Sequence, residues 1–192
     1  MPPAIRFTRE AVLNAAYELV RRDGPSALNA RAVAKELGGS TQPIFRLFSG
    51  MDELKAEIVR LADENICRIM KENASQSRTP YLSICMTYLL FARDEPQLFK
   101  LLFMRDRVSD GSCGREYSHG WSFPVIESSF GVDRQTAIRL YERSFFYVHG
   151  LAVCIATKYM PCWSEEHMEA LLAESLQAAS SQLGFSLSAK DK

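Results

Sequence analysis

The stretch 29–54, NARAVAKELGGSTQPIFRLFSGMDEL, constrains this chain more than any other. Ala30, Val33, Ala34 and Leu37 fall at i, i+3, i+4 and i+7, one face of a short helix. Asn29 stands where an N-cap belongs, because its side chain can accept from a free N–H of the first turn. Gly38 and Gly39 stop that helix, since glycine takes the left-handed turn without a steric penalty. Ser40 or Thr41 can cap the next helix, and Pro43 fits its first turn, where no N–H is needed. Ile44, Phe45, Leu47 and Phe48 follow, with Thr41, Gln42 and Arg46 as the polar members. A helix, a tight turn and a second, polar-tipped helix is the helix-turn-helix layout. In that layout the second helix lies in the major groove of DNA.

The flanks extend the pattern. Residues 8–24 (TREAVLNAAYELVRRDG) read as a helix capped by Thr8, with Val12, Ala15, Ala16, Leu19 and Val20 as its apolar stripe and Gly24-Pro25-Ser26 as its stop. Leu28 is expected to join Val33, Leu37, Ile44 and Phe48 in a small core. Ser49 and Asp52 form a capping-box-like pair that opens a long helix. Together these segments resemble the N-terminal domain of the tetracycline-repressor (TetR) family of transcriptional regulators. About a quarter of the chain carries the resemblance, and its combined spacing is more specific than a lone helix-turn-helix. The resemblance implies an all-α protein. An N-terminal three-helix head, 1–50, would bind DNA. The fourth helix would join it to a helical body, 51–192, for ligand binding and dimerisation. Where the family has Tyr and Lys, this chain has Phe45 and Met51. Those family residues reach DNA phosphates, so the departures imply a weaker hold on the backbone.

The remainder is helical in pattern. Leu54, Ile58, Leu61, Ala62, Ile66 and Ile69 give the fourth helix a stripe to about residue 71. The polar segment 73–80 is a loop. Residues 81–93 are apolar almost all round, the mark of a helix buried on most faces. Asp94 is expected to cap the next helix, 97–104, with Pro96 in its first turn. Residues 105–119 read as a long loop, and 121–130 as a helix ended by Gly131. Asp133 caps a helix expected over 134–159 and closed by Pro161. Ser164 and His167 open the last helix, with Met168, Leu171, Leu172, Leu176 and Ala179 as its stripe. No segment shows strand alternation.

Composition narrows the function classes. The 192 residues carry 47% apolar residues and no net charge, enough for a real core and not a polycation. Residues 1–49 nevertheless hold seven cations (Arg6, Arg9, Arg21, Arg22, Arg31, Lys35, Arg46) against Glu10, Glu18, Asp23 and Glu36, a net of +3, leaving −3 beyond. A mildly basic head on an acidic body suits DNA binding by the head alone. Cys67, Cys85, Cys113, Cys154 and Cys162 are scattered, with no C-x-x-C and no zinc spacing, as in a reduced cytoplasmic protein. No apolar run is long enough for a signal peptide or a membrane span. His119, His149 and His167 have no Ser or Cys partner at a recognisable spacing, and there is no phosphate loop. Neither an enzyme, nor a metal centre, nor a cofactor is expected.

Two sites follow. For DNA, Thr41 and Gln42 can touch bases, a Gln pairing with adenine in bidentate fashion, while Arg46 reaches phosphate or guanine. Asn29 and Arg31 can hold flanking phosphates, and Phe45 keeps a ring that packs in the helix but lacks the hydroxyl donor. For a small molecule, Tyr88, Phe91, Phe103, Trp121, Phe145 and His149 lie on body helices that should pack together, around a largely apolar pocket or as a Phe-rich core. The segment 147–152 (YVHGLA) resembles the His-Gly element of one TetR subgroup. The expectation is a ligand-responsive regulator, a repressor as is usual in the family, acting on a double-stranded DNA operator. It would be a homodimer through its last two long helices, with Leu172 and Leu176 facing the partner. The alternative is a helical protein–protein adaptor that kept the head but lost operator binding.

Overall fold

The computed structural model describes residues 7–106, 120–159 and 163–187. Among them every regular element is helical: α1 (Arg9–Asp23), α2 (Ala30–Glu36), α3 (Gln42–Leu47), α4 (Met51–Gln76), α5 (Pro80–Asp94), α6 (Pro96–Phe103), α7 (Phe123–Phe130), α8 (Arg134–Ala156) and α9 (Glu165–Gln182). Short 3-10 turns precede α2 (Pro25–Ala27) and α7 (Gly120–Ser122). The helices form two compact units. The first takes the described residues up to Asn65 together with Glu95–Arg105; the second takes Ile66–Asp94 and the described residues from Asp106 onward. Helix α4 runs without a break from one into the other.

In the first unit the start signals act as their chemistry dictates. The Thr8 hydroxyl accepts from Ala11 N–H at 3.1 Å, and Asn29 Oδ1 accepts from Ala32 N–H at 3.0 Å. Gly24 closes α1 with φ +91° and ψ 168°, a region open in practice only to glycine. Gly38, with φ +64°, lets the chain leave α2 in the left-handed turn. Val12, Ala16, Val20, Val33, Ile44, Phe48, Leu54 and Ile58 are buried. Leu28 and Leu37 are only half-buried, because they sit at the ends of a turn and of α2 where the chain veers off. Leu98, Phe99, Leu101 and Leu102 of α6 complete the core, packing on α1 and the turn beside it.

Ion pairs ring this unit. Arg9 reaches Glu53 at 2.6 Å and Glu57 at 3.6 Å, donates to the Leu47 carbonyl, and lies 4.0 Å above the Phe48 ring. Arg22 joins Asp23 to Glu36. The Arg21 guanidinium grips Glu95, with Nε 2.9 and 2.8 Å from its two oxygens. That contact corrects one expected cap. Asp94 is the last residue of α5 and pairs with Arg93, while Glu95 occupies the cap position of α6 but its side chain makes no capping bond. A single residue separates the helices, and the Glu95 carboxylate is taken by Arg21. At the start of α4, Glu53 rather than Asp52 closes the box, accepting from Ser49 N–H at 2.6 Å.

The second unit surrounds α5. Tyr81, Leu82, Ile84, Cys85, Thr87, Tyr88, Leu89 and Ala92 are buried among α7, α8 and α9. Asp133 caps α8 through Thr136 N–H at 2.7 Å, and Ser164 caps α9 through His167 N–H at 3.2 Å. Helix α8 stops at Ala156, short of the expected 159. Thr157 turns its hydroxyl back onto the Val153 carbonyl at 2.7 Å, and Lys158 takes φ +57°. The expected terminator, Pro161, lies outside the described residues, as do Arg6, Cys113, His119 and Cys162. Leu172 and Leu176 correct another expectation. They are 0% and 3% exposed and fill this chain's own core instead of facing a partner.

Candidate nucleic-acid interface and body cavity

Helix α3 is six residues long and sharply two-sided. Ile44 is fully buried, Phe48 at its end is nearly so, and Pro43 and Leu47 are half-buried. Gln42, Phe45 and Arg46, at i, i+3 and i+4, form the exposed face. Phe45 is 54% exposed, so its ring stands away from the helix packing that the sequence suggested. Thr41 precedes the helix half-buried, and its hydroxyl makes no capping bond. Asn29 is committed to structure on both sides, since its Nδ2 also donates to the Ala27 carbonyl at 3.0 Å. One Nδ2 hydrogen remains for a phosphate.

The ion pairs decide which cations are available. Arg9, Arg21 and Arg22 are held by carboxylates, while Arg31, Lys35 and Arg46 are exposed and form no ion pair among the described residues. The paired acids record the same division. Hydrogen bonds from Arg22 hold the carboxyls of Asp23 and Glu36 below their ordinary range. Glu53 is lowered to about 2, first by the Ser49 backbone N–H and then by Arg9. Among the described cations of residues 1–49, those without an ion pair thus lie on α2 and α3.

In the second unit a cavity of about 30 Å³ opens among Met70, Tyr81, Ile84, Cys85, Tyr88, Ser122, Tyr141, Phe145 and Val148, room for roughly two water molecules. Of the residues singled out from the sequence, Tyr88 and Phe145 line it. His149 stands behind them, its Nδ1 2.9 Å from the Tyr88 hydroxyl and its ring stacked on Phe145 at 5.4 Å. Trp121 neighbours the lining residue Ser122, and Lys71 sits 5.1 Å over its ring. Phe91 is half-buried on α5 and does not line the cavity. Phe103 belongs to the first unit, where it packs 5.1 Å from Phe99.

Met70, Tyr81, Ile84, Cys85, Ser122, Tyr141 and Val148 were not foreseen. The Tyr81 hydroxyl among them is already engaged. Ser144 gives its one hydroxyl hydrogen to backbone carbonyls of the preceding turn, 2.8 Å from Leu140 O, so Tyr81, 2.6 Å away, is the donor between the two hydroxyls. Burial pushes the Cys85 thiol up to about 12, which keeps it neutral and unreactive at physiological pH. Among the described residues no group of three His, Cys, Asp or Glu side chains could hold a metal ion, and no helix is long and apolar enough to cross a membrane.

A two-sided helix after a tight turn, in a unit built from α1, α2, α3, the first part of α4 and α6, together with a second helical unit, is a helix-turn-helix arrangement with a helical body. No family model matches the chain. A curated relative, an uncharacterised HTH-type transcriptional regulator from Mycobacterium tuberculosis, is 23% identical over 162 residues, 81% of this chain and 73% of the relative. A solved structure from Mesorhizobium loti, assigned to the TetR family of transcriptional regulators, superposes with a TM-score of 0.65 at 12% identity, covering 91% of this chain and 95% of its own. Another assigned to that family, from Vibrio parahaemolyticus, gives 0.55 at 18% identity, with 88% and 97% covered. The fold is that of TetR-family regulators.

Proposed function

We propose that the chain is a ligand-responsive DNA-binding transcriptional regulator of the TetR family, a repressor that works as a homodimer. Residues 1–50 carry the DNA-binding surface, and 51–192 serve ligand binding and dimerisation. The observation that carries this reading is the exposed face of Gln42, Phe45 and Arg46 on α3, together with exposed Arg31 and Lys35 on α2, the three cations forming no ion pair among the described residues. Gln42 and Thr41 read base edges; Arg31, Lys35, Arg46 and the spare Asn29 hydrogen hold phosphates. An electrophoretic mobility shift with the DNA upstream of the chain's own gene tests it. Gln42→Ala should cost about 1–3 kcal/mol on the operator and little on random DNA. Met51→Lys should tighten binding to all DNA and steepen the salt dependence by about one unit. If neither the wild type nor Met51→Lys binds any genomic fragment, the adaptor reading replaces this one.

The body cavity supports an uncharged, largely apolar effector, because its lining is mainly aromatic and aliphatic and the Tyr81 and Tyr88 hydroxyls are already bonded. At about 30 Å³ the cavity must grow to admit one, so binding has to select a conformation with displaced side chains. That differential affinity is what lets an effector change DNA binding. Dimerisation through α8 and α9 is supported by the exposed aromatic face of α8, where Phe146 is 73% exposed and Tyr147 38%. Phe146→Glu should yield monomers in sedimentation, with weakened operator binding.

A further inference from the structure

We propose that Phe45 is a specificity-determining residue that reads thymine, its ring meeting the 5-methyl group at the floor of the major groove. The inference rests on the DNA-binding reading above and adds what the recognition face selects.

A single exposed aromatic is ordinary on a protein surface. Phe45 is informative because of where it stands. It is 54% exposed on a helix whose Ile44 is fully buried and whose Leu47 is half-buried, with Phe48 buried just after its end. It shares the exposed face with Gln42, one turn before it, and adjoins Arg46. No ring or cation contact engages it among the described residues. A side chain on that face must meet whatever Gln42 and Arg46 meet.

Phenylalanine has no donor or acceptor, so it cannot hold a phosphate oxygen or pair with a polar base edge. In the major groove guanine, cytosine and adenine offer polar edge groups, and thymine alone adds an apolar one, the 5-methyl. Covering that methyl with the ring removes two apolar surfaces from water at once. The neighbouring cations supply sequence-independent attraction and bring the ring to the groove, but they do not choose the base. Gln42 favours adenine, so the half-site should hold A·T pairs at adjacent steps.

The test uses the full chain. Tight-binding fragments are selected from a random double-stranded DNA library, and each thymine of the selected half-site is then replaced singly by deoxyuridine, which lacks only the methyl. At one symmetry-related pair of positions the wild type should lose about fourfold in affinity per thymine, the equivalent of one buried methyl group. Phe45→Ala should bind the thymine operator more weakly by a similar factor, bind random DNA as the wild type does, and be indifferent to deoxyuridine at that position. The proposal is overturned if no single deoxyuridine affects the wild type. It is equally overturned if the sensitivity survives in Phe45→Ala. Selection of no DNA sequence at all removes the DNA-binding reading itself, and this inference with it, so the two failures are told apart.

Discussion

In the first unit the polar chemistry sits outside. Arg9, Arg21 and Arg22 close ion pairs over a core of Val12, Ala16, Val20, Val33 and Ile44, all of them aliphatic and fully buried. In the second unit it sits inside. The hydroxyls of Tyr81 and Ser144 face each other in the core, Tyr88 meets His149, and a cavity lies beside them. The contrast teaches how the two units can differ in use. Surface pairs hold helices in register at little energetic cost, leaving a stiff platform whose remaining cations are free to bind a polyanion. Buried hydroxyls and rings beside a void have room to re-pair and repack, whereas the fully buried aliphatic residues of the first unit have no polar partners to exchange.

The largest expected effect tests the aliphatic core. Ile44→Ala removes a fully buried side chain and should cost about 2–5 kcal/mol in urea denaturation. Next comes the buried hydroxyl pair. Ser144→Ala leaves the Tyr81 hydroxyl only its weak bond with the Cys85 thiol and should cost about 1–3 kcal/mol, more than Tyr81→Phe, because Ser144 keeps its bond to the Leu140 carbonyl when the phenol is lost. A double mutant close to Tyr81→Phe alone would sharpen the contrast. Equal costs for Ile44→Ala and Tyr81→Phe would break it.

Asn29→Ala should cost about 1 kcal/mol through the lost cap of α2, and Asn29→Ser should restore most of it. Restored stability with unrestored DNA affinity would assign the amide a phosphate as well.

The smallest effect is that of pH on the surface pairs. Glu53 is held at about 2 against an ordinary value near 4.5. A folded-state value below the unfolded one means that its contribution is present at neutral pH. That contribution disappears as pH falls from about 4.5 toward 2. Thermal melts of Glu53→Gln and wild type should therefore differ at pH 7 and converge through that window. A gap that stays constant down to pH 2 would show that the carboxylate charge contributes nothing.

What the sequence revealed divides along a similar line. Thr8, Asn29, Asp133 and Ser164 were legible as caps because each reaches an N–H three residues along its own chain. The all-α fold was legible for the same reason, since helical periodicity is local. The cap of α6 was not, because the Glu95 carboxylate is claimed by Arg21, 74 residues away. The cavity was legible only in part. Helix α5 is apolar on almost every side, so periodicity gave no means of preferring Tyr81, Ile84 and Cys85 over Phe91. Phe103 carried no signal of which unit it would join. Phe45 was misjudged because a six-residue helix has too few positions to show which of its apolar residues is left outside.

Helix α6 has a consequence for biosynthesis. Leu98, Phe99, Leu101 and Leu102 belong to the core of the first unit, although they are encoded after the start of the second. A ribosome that has released α1, α2, α3 and even all of α4 has therefore not yet released a complete domain. Until residue 105 clears the exit tunnel, the nascent chain displays the apolar face of α1 that α6 will cover. Chains truncated at residue 50 or 76 should then be substrates for chaperones and proteases instead of free-standing folded domains. The first unit is thus complete only after translation has passed the point where α5, part of the second unit, is already made.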